Sequence, residues 1–155
     1  MRGSGEEAAG HGAGDVVDVV TFDVERGKIR EFARATFAED PVHTRQDAMA
    51  DAGWGGVLAT PTHVVVSGHL RDQRGWVHQL GLELHRVVMG SVSWHYRRPV
   101  RAGDSLVGTR RVVADESKSG SRGPLRVVTL ETEYRDGDGA VVVTQRDVVI
   151  ERPRA

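Results

Sequence analysis

From Val16 to Val24 the chain reads "VVDVVTFDV", a β-branched run that predicts an extended strand. The period then changes. From Lys28 onward, Ile29, Phe32 and Ala33 recur three and four residues apart, which predicts an amphipathic helix. Phe37 to Thr44 is expected to be loop, and "RQDAMADAG" a short helix stopped by Gly53. "GWGGVLATPT" is a Gly-rich connection. The next segment, "PTHVVVSGHLRDQ", carries opposed signals. Its three consecutive valines favour a strand, whereas Thr60 as N-cap and Pro61 as first helical residue favour a helix. On propensity alone the two are even.

The second half alternates more plainly. "LHRVVMGSVSWHYRRPV", "DSLVGTRRVVADES", "PLRVVTLETEYRDG" and "AVVVTQRDVVIER" are all strand-like. In the third, Val128, Leu130, Thr132 and Tyr134 share one face, and Leu125, Val127, Thr129, Glu131 and Glu133 the other. Turn chemistry separates the runs at "RAGD", "SKSGSRG" and "RDGDGA", the last a hairpin signal. The residues thus predict an α+β domain, with helices early and a four- or five-stranded antiparallel meander late.

Composition narrows the setting. A chain of 155 residues with 39% hydrophobic content is one ordinary domain, expected over residues 15–153. The Gly-rich N-terminus, residues 1–14, is expected to be a disordered tail with no signal-peptide character. No apolar run approaches the ~20 residues that span a bilayer, so a cytoplasmic, membrane-free protein is expected. A net charge of −1 gives no global field for nucleic acid. The basic groups Arg97, Arg98, Arg101 and Arg110, Arg111 read as solvated faces, with anion contact as the alternative. No cysteine is present, which excludes disulfides and thiolate metal sites. His69, His78, His85 and His95 show no metal-ligand spacing, so no metal is expected.

Four stretches together carry a likeness to a known family: "GKIREFARAT", "PVHTRQDAMADAGWGGVLATPT", "YRRPVRAGDSLVGTRRV" and "LETEYRDGDGAVVVTQRDVVIER". They resemble the MaoC-like hot-dog family, and more closely its FAS1-type dehydratase N-terminal branch, which includes (3R)-hydroxyacyl-ACP dehydratase subunits. The likeness covers about Val19 to Arg152. It implies a hot-dog fold, a long central helix wrapped by a curved antiparallel β-sheet, and so makes Pro61 to about Gln73 that helix. It also implies pairing with a second hot-dog fold, as homodimer or heterodimer. The implied substrate is a 3-hydroxyacyl thioester on CoA or ACP. The implied reaction, loss or addition of water, is proton transfer and needs no cofactor.

Family enzymes carry a D-x-N-P-x-H loop and a downstream A-H-G whose Gly N–H holds the thioester oxyanion. In "AEDPVH", Pro41 and His43 match, but Asp40 stands at the Asn and Ala38 at the catalytic Asp. In "LATPT", Thr60 replaces the His and Pro61 the Gly, and proline has no N–H. The strand signature "HGEQ" reads "MGSV" from Met89 to Val92. Within the branch such folds tend to be the acyl-binding half of a pair.

That implies a component of a dehydratase or hydratase whose partner carries the catalytic pair. The alternatives are an active homodimer using His43 with Glu39 or Asp40 as acid, and a non-enzymatic acyl-binding or structural subunit. Candidate substrate-binding residues are Trp54, Gly55, Gly56, Thr60, Thr62 and His63, with His63 alternatively packed inside. Trp94 and Tyr96 read as core or interface. A hot-dog thioesterase would want an acid on the central helix, and Thr62 to Leu70 contains none.

Overall fold

The computed structural model describes residues 12–154. The expected tail lies mostly outside the described residues. Its last glycine, Gly14, is tied to the sheet by its N–H to the Val112 carbonyl, 2.8 Å.

The elements run β1 (Val16–Asp23), α1 (Arg26–Ala35), α2 (Gln73–Gln79), β2 (Val87–Tyr96), β3 (Ser105–Gly120), β4 (Gly123–Arg135) and β5 (Val141–Glu151). Short 3-10 turns occupy Pro41–His43, Ala50–Ala52 and Leu84–Arg86. The helix expected at "RQDAMADAG" is thus only the Ala50–Ala52 turn, closed as expected by Gly53 at φ 79°. The strands form one antiparallel sheet in the order β1-β3-β4-β5-β2. Only β3, β4 and β5 are a true meander. β2 crosses to the far side of β5 and β1 lies against β3, so β1 and β2 are the edges. The covered face is the one that alternation marked, with Val128, Leu130, Thr132 and Tyr134 all buried. This is the α+β hot-dog fold.

The segment laid across that face differs from the continuous helix expected between Pro61 and Gln73. It is a 3-10 run, His63–Leu70, entered through Thr62 rather than Thr60. Arg71 then turns to extended backbone, φ −100° and ψ 142°. Asp72 opens α2 by accepting the Gly75 N–H at 2.9 Å. The cause is local. Three β-branched valines and Gly68 are poor α-helix formers, and Asp72 is a strong N-cap that restarts the helix one residue later. A 3-10 run of this length is uncommon.

With three residues per turn, Val64 and Ser67 stack on one face, and both are buried. Val64 joins a cluster with Phe22, Ile29, Leu106, Tyr134 and Val143. A second cluster packs Trp76, Val77 and Leu80 of α2 against Val112, Val128 and Val149. Val65 points outward and is 47% exposed.

His63 begins the run and is fully buried. Its ring lies 5.9 Å from Phe22 and edge-on to Phe32 at 5.4 Å. Neither ring nitrogen has a hydrogen-bond partner among the described residues. Burial pushes its pKa down to about 4.

Two outcomes follow from this packing. Val64→Asp places an unpaired charge in the core and is expected to cost about 3 kcal/mol or more, while Val65→Asp in the isolated chain costs roughly half a kcal/mol. Thermal melts compare them, and equal melting points contradict the burial of this face. As pH falls below about 6.5 the unfolded chain protonates His63, whereas the folded chain does not until about 4. Stability therefore declines across that window, by up to about 3 kcal/mol. His63→Leu is expected to flatten that part of a urea-denaturation pH profile, and an unchanged slope counts against the assignment.

Candidate active site

The loop that carries His43 is built from its two ends. α1 closes on Phe37, at φ 55°, and the Ala38 N–H reaches back to the Ala33 carbonyl at 2.8 Å. The chain then turns through Pro41–His43, where Asp40 caps the turn by accepting the Val42 N–H at 3.0 Å. This leaves His43 buried, with Nδ1 at 2.8 Å from the Leu58 carbonyl. A carbonyl only accepts, so Nδ1 carries a proton, and in the neutral ring the lone pair is on Nε2. His43 shares a cavity of about 330 Å³ with Arg26, Gly27, Arg30 and Thr44.

A second cavity begins just beyond Leu58. Leu58 bridges to Arg101, and the Ala59 N–H bonds the Val100 carbonyl at 2.8 Å, which fixes Thr60 and Pro61 beside the end of β2. Thr60 is buried and its hydroxyl has no partner among the described residues. Thr60, Pro61, Tyr96 and Arg97 help line a cavity of about 360 Å³. Where the family motif has a backbone N–H, Pro61 offers only its carbonyl, which accepts the Tyr96 hydroxyl proton. Burial, and then Tyr134, push the Tyr96 phenol up to about 12, so it remains a donor at neutral pH. Tyr96 therefore belongs to the wall of this cavity as well as to the sheet. Its place at the end of a strand, just before the Arg-Arg-Pro turn, is the signal that sequence reasoning undervalued.

The remaining candidates divide. His43 and Thr60 line two separate cavities, and the Leu58 carbonyl, which His43 Nδ1 bonds two residues before Thr60, is the link between them. Thr62 is exposed, and Trp54 is half-buried in its Gly-rich loop beside exposed Gly55 and Gly56 at φ 91°. His63 lies in the core between two phenylalanines, not on a groove surface, which corrects its place among the substrate contacts. Glu39 and Asp40 are exposed, and neither carboxylate hydrogen-bonds His43. Asp40 is committed to capping its own turn.

A buried charged network lay outside the sequence reading. Arg71, with no exposed side-chain surface, pairs with Asp18. Arg110 approaches Asp18 at 3.8 Å and Asp147 at 3.9 Å, and its guanidinium lies 5.4 Å from the Trp76 ring centre. Gln145 donates to Asp147 at 2.8 Å and accepts from Trp94 at 3.2 Å. Burial, then the like charge of Arg71, pull Arg110 down to about 10, still protonated at neutral pH. Of the pair expected to be solvated, only Arg111 is exposed and Arg110 is core. The signal was the strand phase: Arg110 shares its face with Leu106, Gly108 and Val112.

Among the described residues no cluster of His, Asp or Glu is arranged to hold a metal, and no helix is long and apolar enough to cross a membrane. Residues 12–145 match the family model described as "FAS1-like, dehydratase domain region". A UPF0336 protein of Streptomyces avermitilis is 39% identical over 124 residues, covering 79% of this chain and 80% of its own. The C-terminally truncated HadBC (3R-hydroxyacyl-ACP dehydratase) complex of Mycobacterium tuberculosis superposes with a TM-score of 0.73 at 22% identity, over 86% of this chain and 94% of that one. The (R)-hydratase of A. caviae involved in PHA biosynthesis does so at 0.68 and 19%, over 92% and 97%. The half-kept loop around His43, the sheet that presents it and a family match spanning most of the sequence agree, and this chain belongs to the FAS1-like dehydratase family of hot-dog proteins.

Proposed function

We propose that the chain is one component of a cytoplasmic 3-hydroxyacyl-thioester dehydratase or hydratase, the acyl-binding fold beside a second hot-dog fold that carries the complete catalytic pair. One observation carries this reading. The loop keeps a buried histidine, while Ala38 stands where the acid is needed and Pro61 where an oxyanion N–H is needed. Dehydration removes the C2 proton, holds the enolate oxygen that results, and protonates the C3 hydroxyl as it leaves as water. His43 Nε2 has the lone pair for the first step. Among the described residues no carboxylate hydrogen-bonds His43 to serve the last, and the backbone donor for the middle step is missing by covalent structure. The substrate would be carried on CoA or ACP, and no cofactor enters a reaction made of proton transfers.

The pairing surface is edge strand β2. Its outer side is unpaired among the described residues and exposes Met89, 57%, and Val88, 39%, next to Val65. An open apolar edge favours another sheet. The HadBC structure is itself a complex.

A second reading, an active homodimer using His43 with Glu39 or Asp40 as acid, is favoured by the Leu58 carbonyl, which holds Nδ1 and turns Nε2 to the role of base. Turnover of a 3-hydroxyacyl-CoA by the purified chain separates the two. The first reading expects almost none, unchanged in His43→Ala. Brisk turnover lost in His43→Ala overturns it in favour of the homodimer. Ala38→Asp with Pro61→Gly is expected to gain about tenfold or more, with each change alone doing little, because acid and oxyanion donor act together.

Native mass tests the edge. Met89→Lys is expected to convert a dimer, or a complex with the neighbouring gene's product, to single chains that still melt cooperatively. A wild-type chain that stays monomeric in both settings contradicts pairing.

A further inference from the structure

A cavity of about 570 Å³ lies far from His43, where the β3–β4 hairpin, the segment before β2 and the chain after β5 meet. His43 sits by the Leu58–Arg101 bridge, close to where β3 begins. The cavity sits at Gly120, the other end of that 16-residue strand, about 50 Å along it. One small ligand cannot span both.

The cavity is cationic. Arg86, Arg122, Arg152, Arg154 and His85 line it, and the carboxylate of Glu151 borders the adjoining hollow on the Arg126 side. Glu83, behind it, holds Arg154 at 2.5 Å and Arg86 at 3.3 Å, and Glu151 holds Arg86 at 2.8 Å. Those two carboxylates orient two guanidiniums. Arg122 and Arg152 have no carboxylate partner among the described residues, and Arg152 is steered instead by the His85 carbonyl at 3.3 Å. Leu125 and Pro153 supply an apolar floor. The hairpin is tight enough to raise Arg122 over it only because of two glycines. A side chain on Gly120 would meet the Gly123 carbonyl at 2.9 Å, and Gly123 adopts φ 117° against Pro153.

We infer that this cavity binds a phosphorylated ligand of nucleotide size, its phosphates between Arg122 and Arg152 and its ring body on Leu125 and Pro153. The volume is that of a small-molecule site, and planar guanidinium forks match phosphate oxygens two at a time. Surplus positive charge that no described carboxylate offsets is met by an anion from outside. The site does not depend on the dehydratase reading, since it uses none of the residues of that loop.

Isothermal titration of the full chain with adenosine 3′,5′-bisphosphate, adenosine and inorganic phosphate tests it. The bisphosphate is expected to bind saturably, at least about tenfold tighter than inorganic phosphate, and to weaken as salt rises; adenosine alone does not bind. Arg122→Ala with Arg152→Ala, both exposed, is expected to lower the affinity at least about tenfold with the melting curve unchanged. Arg26→Ala with Arg30→Ala, in the cavity of His43, is expected to leave it unchanged. Coenzyme A that competes for the site identifies its nucleotide end as the source, and failure to compete identifies a free nucleotide. No saturable binding, binding that survives the Arg122/Arg152 change, or binding lost with Arg26/Arg30 overturns the inference.

Discussion

A single hydroxyl pair closes the fold. Tyr134 reaches from the middle of the covered sheet face to Ser67, 2.7 Å away, and pins the 3-10 segment to the sheet. The contact has a requirement on the neighbouring strand. Gly108 stands opposite Tyr134, and a Cβ there would lie 2.7 Å from its ring. This glycine is needed for close approach rather than for a turn, since its φ is ordinary. Once Ser67 is fixed, Val64 and His63 follow into the core one turn before it. Thr60 and Pro61 are then delivered to the end of β2. The geometry of the site wall is thus a consequence of packing at its far end.

Beside that pair the protein buries charge. Arg71 and Arg110 bracket Asp18, and Asp147 and Gln145 continue the chain. Desolvating these groups costs about as much as their pairing returns, so the network is weak evidence for stability. Its effect is on uniqueness. Any other register of the segment against the sheet would strand Arg71 without Asp18. Segment position is therefore set by polar matching, whereas the apolar clusters would tolerate small shifts.

The strands were legible because alternation is a strong signal when one face is covered. In β4, Val128, Leu130, Thr132 and Tyr134 share one face as alternation predicts, and the structure shows that face to be the buried one. Helix α1 was legible for the same reason at a different period. The central segment was legible in place but not in form. Its valines suit burial in either state, and the extent was overread because Asp72, a plain N-cap, was passed over as interior. Arg110 was missed because a charged residue was assigned to solvent against the phase of its own strand. In the site, His43 and the two departures at Ala38 and Pro61 could be located only by likeness to a family motif. Tyr96 and the tautomer of His43 depend on the Pro61 and Leu58 carbonyls, and backbone positions across the fold are not written in local sequence.

Those carbonyls also explain how the loop outlives its acid. In a working site the motif residues serve the substrate, and their loss would be expected to loosen the loop. Here the residues that stand at the motif positions, retained or replaced, have structural bonds. Asp40 caps the Pro41–His43 turn through Val42, and His43 ties that turn to Leu58, which in turn bridges to Arg101. The Pro61 carbonyl holds the Tyr96 hydroxyl. None of these bonds needs a carboxylate at position 38 or an N–H at position 61. The loop is consequently held as a wall whether or not it transfers protons. Selection on the acid can then relax at no cost to folding, provided another fold supplies the chemistry. Under the proposed function, that separation of scaffold from catalysis is what would let one half of a paired site specialise in holding the acyl group.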